Sequence, residues 1–300
     1  MIDGMIAVWK EKDFTSHDVV AKMRGILRQK KIGHTGTLDP KAEGVLVVGL
    51  GMGTRACDLL PDKTKTYEAE MLLGVETDTE DIWGTVLREE DVCVSSDAFC
   101  DAILSFQGTY LQTPPMYSAK KINGQKLYDL ARKGKIVERS AVPVTIHQIQ
   151  IRKLEGNRAA FSVTCSAGTY IRTLCVDIGK KLGVPAVMTA LTRTDAGGFT
   201  SNQALTLKQM EEARDNGTLL NHVIPVDQAL TCYPMVTVGK AFGKQLKNGN
   251  SFLESALTAL PDQDSEYYRV YLEEDGFIGV FRRLEDKRTY KPHKMFLSVG

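Results

Sequence analysis

Stretches with the period of a strand and stretches with the period of a helix follow one another in this chain without a regular strand–helix–strand alternation. That points away from a doubly wound parallel sheet and towards an α+β architecture. Residues 5–8 form a short strand-like run. Thr15-Ser16-His17-Asp18 can cap a helix carrying Val19, Val20, Met23, Ile26 and Leu27 at helical spacing, with Gly33 as its stop and Lys30 and Lys31 in its last turn. A strand follows at 45–50, then a short helix from Thr54 that Pro61 ends. Residues 66–73 alternate, with Tyr67, Ala69, Met71 and Leu73 on one face, as a half-buried strand does. Phe161, Val163 and Cys165 alternate in the same way, Gly168 turns the chain, and TYIRTLCVDIGKKLG reads as a helix ended by Gly183. From about Thr231 the pattern changes to short alternating runs, MVTV, YYRVYL and GFIGVF, separated by turn residues. A small β-rich domain is expected there, joined through the segment around Pro225.

The 300 residues, 43% of them hydrophobic, can supply a large core and a small one. With 38 Lys and Arg against 37 Asp and Glu, an anionic partner must be held by a local patch, not by bulk charge. One such patch is evident. PPMYSAKKINGQKLYDLARKGKIVERS gathers Lys120, Lys121, Lys126, Arg132, Lys133, Lys135 and Arg139 among tyrosines and glycines, as a protruding basic insertion. The six cysteines form no C-x-x-C pair and no zinc-finger spacing, so they read as reduced, mostly buried thiols, with no metal site or redox motif. The start lacks a signal-peptide pattern, and no run approaches the roughly 20 apolar residues that span a bilayer. A cytosolic protein is expected.

Chemistry concentrates in GHTGTLDPKAEGVLVV, residues 33–48. Pro40 biases Asp39 towards an extended backbone, and Gly33, Gly36 and Gly44 permit a tight loop, so the carboxylate can stand on a stiff support. A turn aspartate bonding its own backbone is the plainer reading. Arg172 bears on the choice, because a cation in the first turn of its predicted helix is disfavoured by roughly 0.3–1 kcal/mol unless something holds it there. A carboxylate is the simplest such partner. Tyr67 and Tyr170 can be core tyrosines or platforms for a nucleic-acid base. His34, in the glycine loop, is ambiguous alone. The glycines at Gly49, Gly51 and Gly53 mimic a dinucleotide fingerprint, but the third glycine of that motif would fall on Thr54 and the helix is cut short at Pro61. Glu76, Asp78, Glu80 and Asp81 lack the spacing of a calcium loop and read mostly as a solvated turn.

Five motifs in order resemble the bacterial TruB family of tRNA pseudouridine synthases: G-H-T-G-T-L-D-P-x-A-x-G-V-L-V-V, K-x-Y at 65–67, G-V-x-T-D-T-x-D at 74–81, the Q-T-P-P-x-Y-S-A segment from Gln112 with its following lysines, and S-A-G-T-Y-I-R-T-L at 166–174. The resemblance covers most of residues 1–229; the remainder is similar, more loosely, to that family's PUA-type RNA-binding domain. It implies a mixed, mainly antiparallel sheet flanked by helices, a catalytic domain at 1–229 with a basic thumb at about 114–145, and a PUA-like domain at 230–300. It implies isomerisation of uridine 55 in the tRNA T loop to pseudouridine, by flipping the base out of the stack. Asp39 would then be the nucleophile, Arg172 its partner, and Tyr67 the residue that stacks on the uracil and takes the C5 proton. Tyr170 and Leu191 would line the pocket, Asp81 would contact the base's surroundings, and His34 would fill the space the uridine leaves. Lys120, Lys121 and Lys126 would grip the tRNA T arm and elbow through its backbone. No metal, cofactor, membrane or protein partner is implied, and a monomer is expected. Two other readings compete: a tRNA-folding chaperone without essential catalysis, which would gain nothing from Asp39 facing Arg172, and a nucleotide-dependent oxidoreductase built on Gly49.

Overall fold

The computed structural model describes residues 1–297 other than Ala119, Asn123, Ile136 and Lys287, and excluding the side chains of Lys121, Ile122 and Lys126. The chain opens with β1 (Gly4–Lys10) and crosses to α1 (Ser16–Leu27). Thr15 and Asp18 exchange the reciprocal bonds of a capping box at its start. The helix ends earlier than its sequence predicts. Arg28 adopts the left-handed conformation, φ 48°, and the Gln29 side chain then bonds the backbone of Ile2 at 2.8 and 2.9 Å. Lys30 and Lys31 therefore lie beyond the helix, and Gly33 belongs to the short strand β2 (Ile32–His34).

β3 (Glu43–Leu50) returns antiparallel to β1, α2 (Gly53–Ala56) is a single turn, and β4 (Lys65–Leu73) buries Tyr67, Ala69, Met71 and Leu73 as its alternation requires. β5 (Val75–Thr77) and β6 (Val86–Glu89) make a separate hairpin, followed by α3 (Ser96–Leu104) and β7 (Gly108–Gln112). The basic insertion contains local structure that its weak apolar period hid: a minimal hairpin of β8 (Lys121–Ile122) and β9 (Gln125–Lys126), then α4 (Leu127–Ala131), which buries Leu127 and Leu130. β10 (Val142–Glu155), β11 (Arg158–Cys165), α5 (Ile171–Leu182), β12 (Ala186–Ala196), β13 (Phe199–Thr200), α6 (Leu207–Asp215) and α7 (Val226–Ala229) complete this part.

The main sheet runs β1-β3-β12-β4-β11-β10-β7. Its pairs are antiparallel except β3 with β12, which is the junction that brings the first and last thirds of the domain together. Gly44 makes that junction possible: its φ is +114°, and a Cβ there would sit 2.2 Å from the Arg193 carbonyl oxygen. Helices α3 and α5 cover one face through Phe99, Ile103, Leu174 and Ile178. Helices α1 and α6 cover the β1–β3 end through Val19, Met23 and Met210.

The glycines after β3 are packing devices, which removes the dinucleotide reading. A Cβ on Gly53 would meet the Gly4 carbonyl oxygen at 1.9 Å, and the Asp3 carboxylate accepts the Met52 N–H at 2.6 Å, where a pyrophosphate would have to lie.

The C-terminal part is β-rich, as its change of pattern predicts: β14 (Met235–Val238), α8 (Gly243–Lys247), β15 (Phe252–Leu253), β16 (Tyr267–Leu272), β17 (Gly276–Arg283) and β18 (Thr289–Met295), in sheet order β14-β16-β17-β18-β15. It has its own core of Phe252, Tyr268, Phe281 and Tyr290. It does not hang free: Val280 and Phe296 share a core with Met5, Ala7, Val45 and Val47 of the main sheet, and Tyr233 donates to the Leu59 carbonyl at 2.9 Å.

Candidate active site

The segment between β2 and β3 carries Asp39, and it is fixed on both sides of that residue. Ser16, buried at the start of α1, donates to and accepts from the backbone of Leu38 (3.3 and 2.9 Å). The Pro40 carbonyl accepts from Asp13 N at 2.9 Å and from the Lys10 ammonium at 3.1 Å. Lys10 is fully buried and also donates to the carbonyls of Glu11 and Phe14. Burial pulls its pKa down to about 8, against the opposing field of Asp39. Of the three glycines expected to shape this loop, Gly44 alone takes a positive φ, so stiffness at Asp39 comes chiefly from side chains bonding its neighbours' backbone.

Asp39 does not turn back on its own backbone. Its carboxylate faces Arg172: Nε lies 2.8 Å from Oδ2 without pointing along that line, and Nη2 donates to Oδ1 at 3.3 Å. Arg172 is 4% exposed against 37% for Asp39, so the guanidinium is the buried anchor and the carboxylate the accessible group. Its remaining donors reach the carbonyls of Thr79 (2.6 Å) and Tyr117 (2.8 Å). A cation at the disfavoured end of α5 is thus held by one carboxylate and two carbonyls. Tyr170, the residue preceding α5, is half-buried and positioned by Gln112, which bonds both its N–H and its carbonyl (2.8 and 3.0 Å).

Beneath the loop, Tyr67 of β4 and Leu191 of β12 belong to the same buried cluster as Leu38. Burial pushes the Tyr67 phenol up, and the neighbouring Arg193 guanidinium opposes that shift. His34 is half-buried in β2, its Nδ1 has no partner among the described residues, and burial lowers its pKa, favouring the neutral imidazole. Asp81 accepts from Thr79 Oγ1 (2.7 Å) and Trp83 N (3.2 Å), and burial raises its pKa. Asp39, Arg172, Tyr67 and Leu191 are therefore brought to one place, with Asp81 tied to it through Thr79. Glu80 departs from the solvated-turn reading: it has φ +65°, and its half-buried carboxyl accepts from Thr173 Oγ1 at 2.6 Å.

Lys120 belongs to the basic insertion and is half-buried, with its carbonyl bonded by Leu127 N at 2.9 Å. The side chains of Lys121 and Lys126 lie outside the described residues. Two residues were not singled out from sequence: Lys10 and Arg193. Each had a readable signal. Arg193 is two residues from Leu191 in a strand, so it shares that residue's buried face, and Lys10 closes an apolar strand. The cysteines are unpaired, but only Cys165 and Cys175 are fully buried, while Cys93 and Cys232 reach the surface, which is less burial than expected. Among the described residues no group of three or more His, Cys, Asp or Glu is placed to hold a metal, and no helix is long and apolar enough to cross a membrane.

The chain is similar to known proteins over nearly its whole length. Residues 24–171 match the N-terminal domain of the TruB family of pseudouridylate synthases, and residues 172–231 match the tRNA pseudouridylate synthase B C-terminal domain. The chain belongs to the TruB family of pseudouridylate synthases, which are isomerases. It is 48% identical to the tRNA pseudouridine synthase B of Lachnoclostridium phytofermentans, with 99% of this chain and 100% of that one covered. It is 42% identical to the protein of the same name from Clostridium perfringens, with the same coverage of each. Among solved structures, a chain from the crystal structure of a Cbf5-Nop10-Gar1 complex is 26% identical, with a TM-score of 0.74 over 98% of this chain and 85% of that chain. The α+β sheet with flanking helices is accordingly a pseudouridine-synthase fold.

Proposed function

We propose that this enzyme acts on tRNA in the cytoplasm, as a monomer, and converts uridine 55 of the T loop to pseudouridine. The uracil leaves the stack and enters the pocket over Tyr67 and Leu191, the N1 glycosidic bond breaks, and the base rotates and rejoins the ribose through C5. Asp39 is the nucleophile. The observation that carries this reading is the Asp39–Arg172 pair, with its buried guanidinium and its accessible carboxylate 2.8 Å away. The buried guanidinium holds the carboxylate in a fixed orientation from which it can attack. Tyr67 stacks on the uracil and takes the C5 proton, Tyr170 and Leu191 wall the pocket, Asp81 orients the base's surroundings, and His34 fills the vacated space.

The basic thumb at 114–145, with Lys120, Lys121 and Lys126, grips the T arm through phosphates, and residues 230–300 form a PUA-like domain that reaches the rest of the tRNA. A chaperone that only opens the tRNA elbow gains nothing from the Asp39–Arg172 pair. The experiment is incubation, without added cofactor, of a T-arm stem-loop carrying tritium at C5 of its uridines: the protein is expected to release label to water. Tight binding of that RNA without release would favour the chaperone reading instead.

A further inference from the structure

Arg193 stands out among the charged groups that the mechanism leaves unused. It is 1% exposed, as buried as the aliphatic core. Three of its hydrogen bonds go to backbone carbonyls, Nε to Val45 (2.7 Å), Nη1 to Thr37 (3.5 Å) and Nη2 to Gly36 (3.2 Å), and its side chain also interacts with that of Tyr67. A buried guanidinium with no paired carboxylate among the described residues is costly to desolvate. An apolar residue there would seal the sheet as well, so the charge calls for another explanation. The register supplies one: Arg193 of β12 lies directly opposite Tyr67 of β4, and directly opposed residues in an antiparallel pair share a face. Two of its three carbonyl partners, Gly36 and Thr37, belong to the loop that carries Asp39.

We propose that Arg193 is a positioning residue that fixes the Tyr67 hydroxyl at the reacting uracil and keeps it able to accept the C5 proton. This rests on the isomerisation reading above. In that step the C5–H bond breaks, and its electron pair becomes the ring C5–C6 double bond. At the same time the N1–C6 double-bond pair moves onto N1, which takes a proton from water, and the Tyr67 phenolate becomes a phenol that then loses its proton to water, so no net proton is gained or lost. Burial is the largest influence and leaves the Tyr67 pKa raised; the guanidinium, opposite Tyr67 in the register, is the group that limits that rise, whereas Cys165 and Asp39 both add to it. The three carbonyls hold the guanidinium in place, so the loop bearing the nucleophile and the residue taking the proton are referenced to one rigid group.

The test is single-turnover isomerisation of T-arm RNA carrying either hydrogen or deuterium at C5 of the target uridine. Arg193→Gln keeps a carbonyl partner but removes the charge. Its turnover is expected to fall on the order of 10²-fold or more, the range of lost general-base catalysis. Its deuterium isotope effect should rise above that of the unmodified protein, because proton removal becomes slower than the earlier steps. Arg193→Lys is the second variant. It keeps a cation in the cavity if the glutamine variant fails to fold, but one ammonium cannot span three carbonyls and a phenol, so the same rise is expected, smaller. A residue that only braced the loop would lower turnover and leave the isotope effect unchanged, and that result in a variant that folds and binds RNA overturns the proposal. If the unmodified protein fails to isomerise the RNA, the isomerisation reading itself falls; if it succeeds and the isotope effects match, Arg193 alone is misassigned.

Discussion

Asp39 and Arg172 are unequal partners, and the inequality sets what each substitution should do. Asp39→Asn keeps the size and most of the hydrogen bonds while removing the charge, so turnover should vanish while tRNA affinity survives. Substantial tritium release by this variant would take Asp39 out of the mechanism. Its fold should tolerate the change, at less than the roughly 3–5 kcal/mol of a fully buried broken pair, because the carboxylate is 37% exposed. Arg172→Lys replaces a planar fork that reaches Asp39, Thr79 and Tyr117 at once. An ammonium cannot do the same, so turnover should drop on the order of 10²-fold, as misplacement by about an ångström does; an unchanged rate would dissolve the pairing argument.

Lys10 gives a pH dependence whose sign can be worked out. Its native pKa, about 8, lies below its ordinary value of 10.5, with Asp39, Asp13 and Glu43 opposing the shift and Arg193 adding to it. The unfolded chain thus binds more protons between those two values, and this group's contribution to stability rises with pH across that window. Activity should move the other way. Above about pH 8 the ammonium that holds the Pro40 carbonyl loses its charge, and the rate should decline on that limb. In Lys10→Arg, whose charge persists, the pH–rate profile should lack the limb; a limb in the same place would assign it to another group.

Among the elements, the thumb depends on tertiary support as much as on charge. Leu127 and Leu130 of α4 bury a small apolar face, and Arg139 bonds the Pro114 carbonyl at 3.1 Å across its base. Replacing Lys120, Lys121 and Lys126 by alanine leaves these interactions alone. Affinity should fall alike for any folded tRNA, and the slope of log affinity against log salt should flatten by roughly one unit for each phosphate no longer neutralised. Catalysis at saturating RNA should hold. An unchanged slope would make these lysines ordinary solvated charges. Strand β4 shows the opposite case, where local pattern alone was sufficient. Tyr67, Ala69, Met71 and Leu73 alternate in sequence and are buried in the fold, because a strand with one covered face can meet its core in only one register.

For the whole molecule, the shared core of Met5, Ala7, Val45 and Val47 with Val280 and Phe296 means that the C-terminal module and the main sheet stabilise each other. A chain ending at Ala229 loses that cover and should unfold at lower temperature. If the module touches RNA beyond the T arm, the truncated chain should also lose affinity for whole tRNA by a larger factor than for the isolated stem-loop. Equal losses on the two RNAs would reduce the module to a buttress.

Much of this protein was settled by sequence alone. The absence of strand–helix alternation set the fold class, the change of pattern near Thr231 marked the second module, and an arginine at the wrong end of a predicted helix announced a partner for Asp39. These features are legible because they depend on neighbours along the chain: side-chain period, turn residues and helix polarity act over a few residues. Where α1 ends was not legible, because Gln29 is tied to Ile2 across the fold and not to its own helix. Nor were the roles of Lys10 and Arg193, each a buried cation whose partners include carbonyls far from it in sequence. The parallel junction of β3 with β12, which sets Asp39 over Tyr67, joins residues about half the chain apart. Only tertiary structure could decide it, since the desolvation of a charge and the meeting of distant strands are properties of the closed chain and of no segment within it.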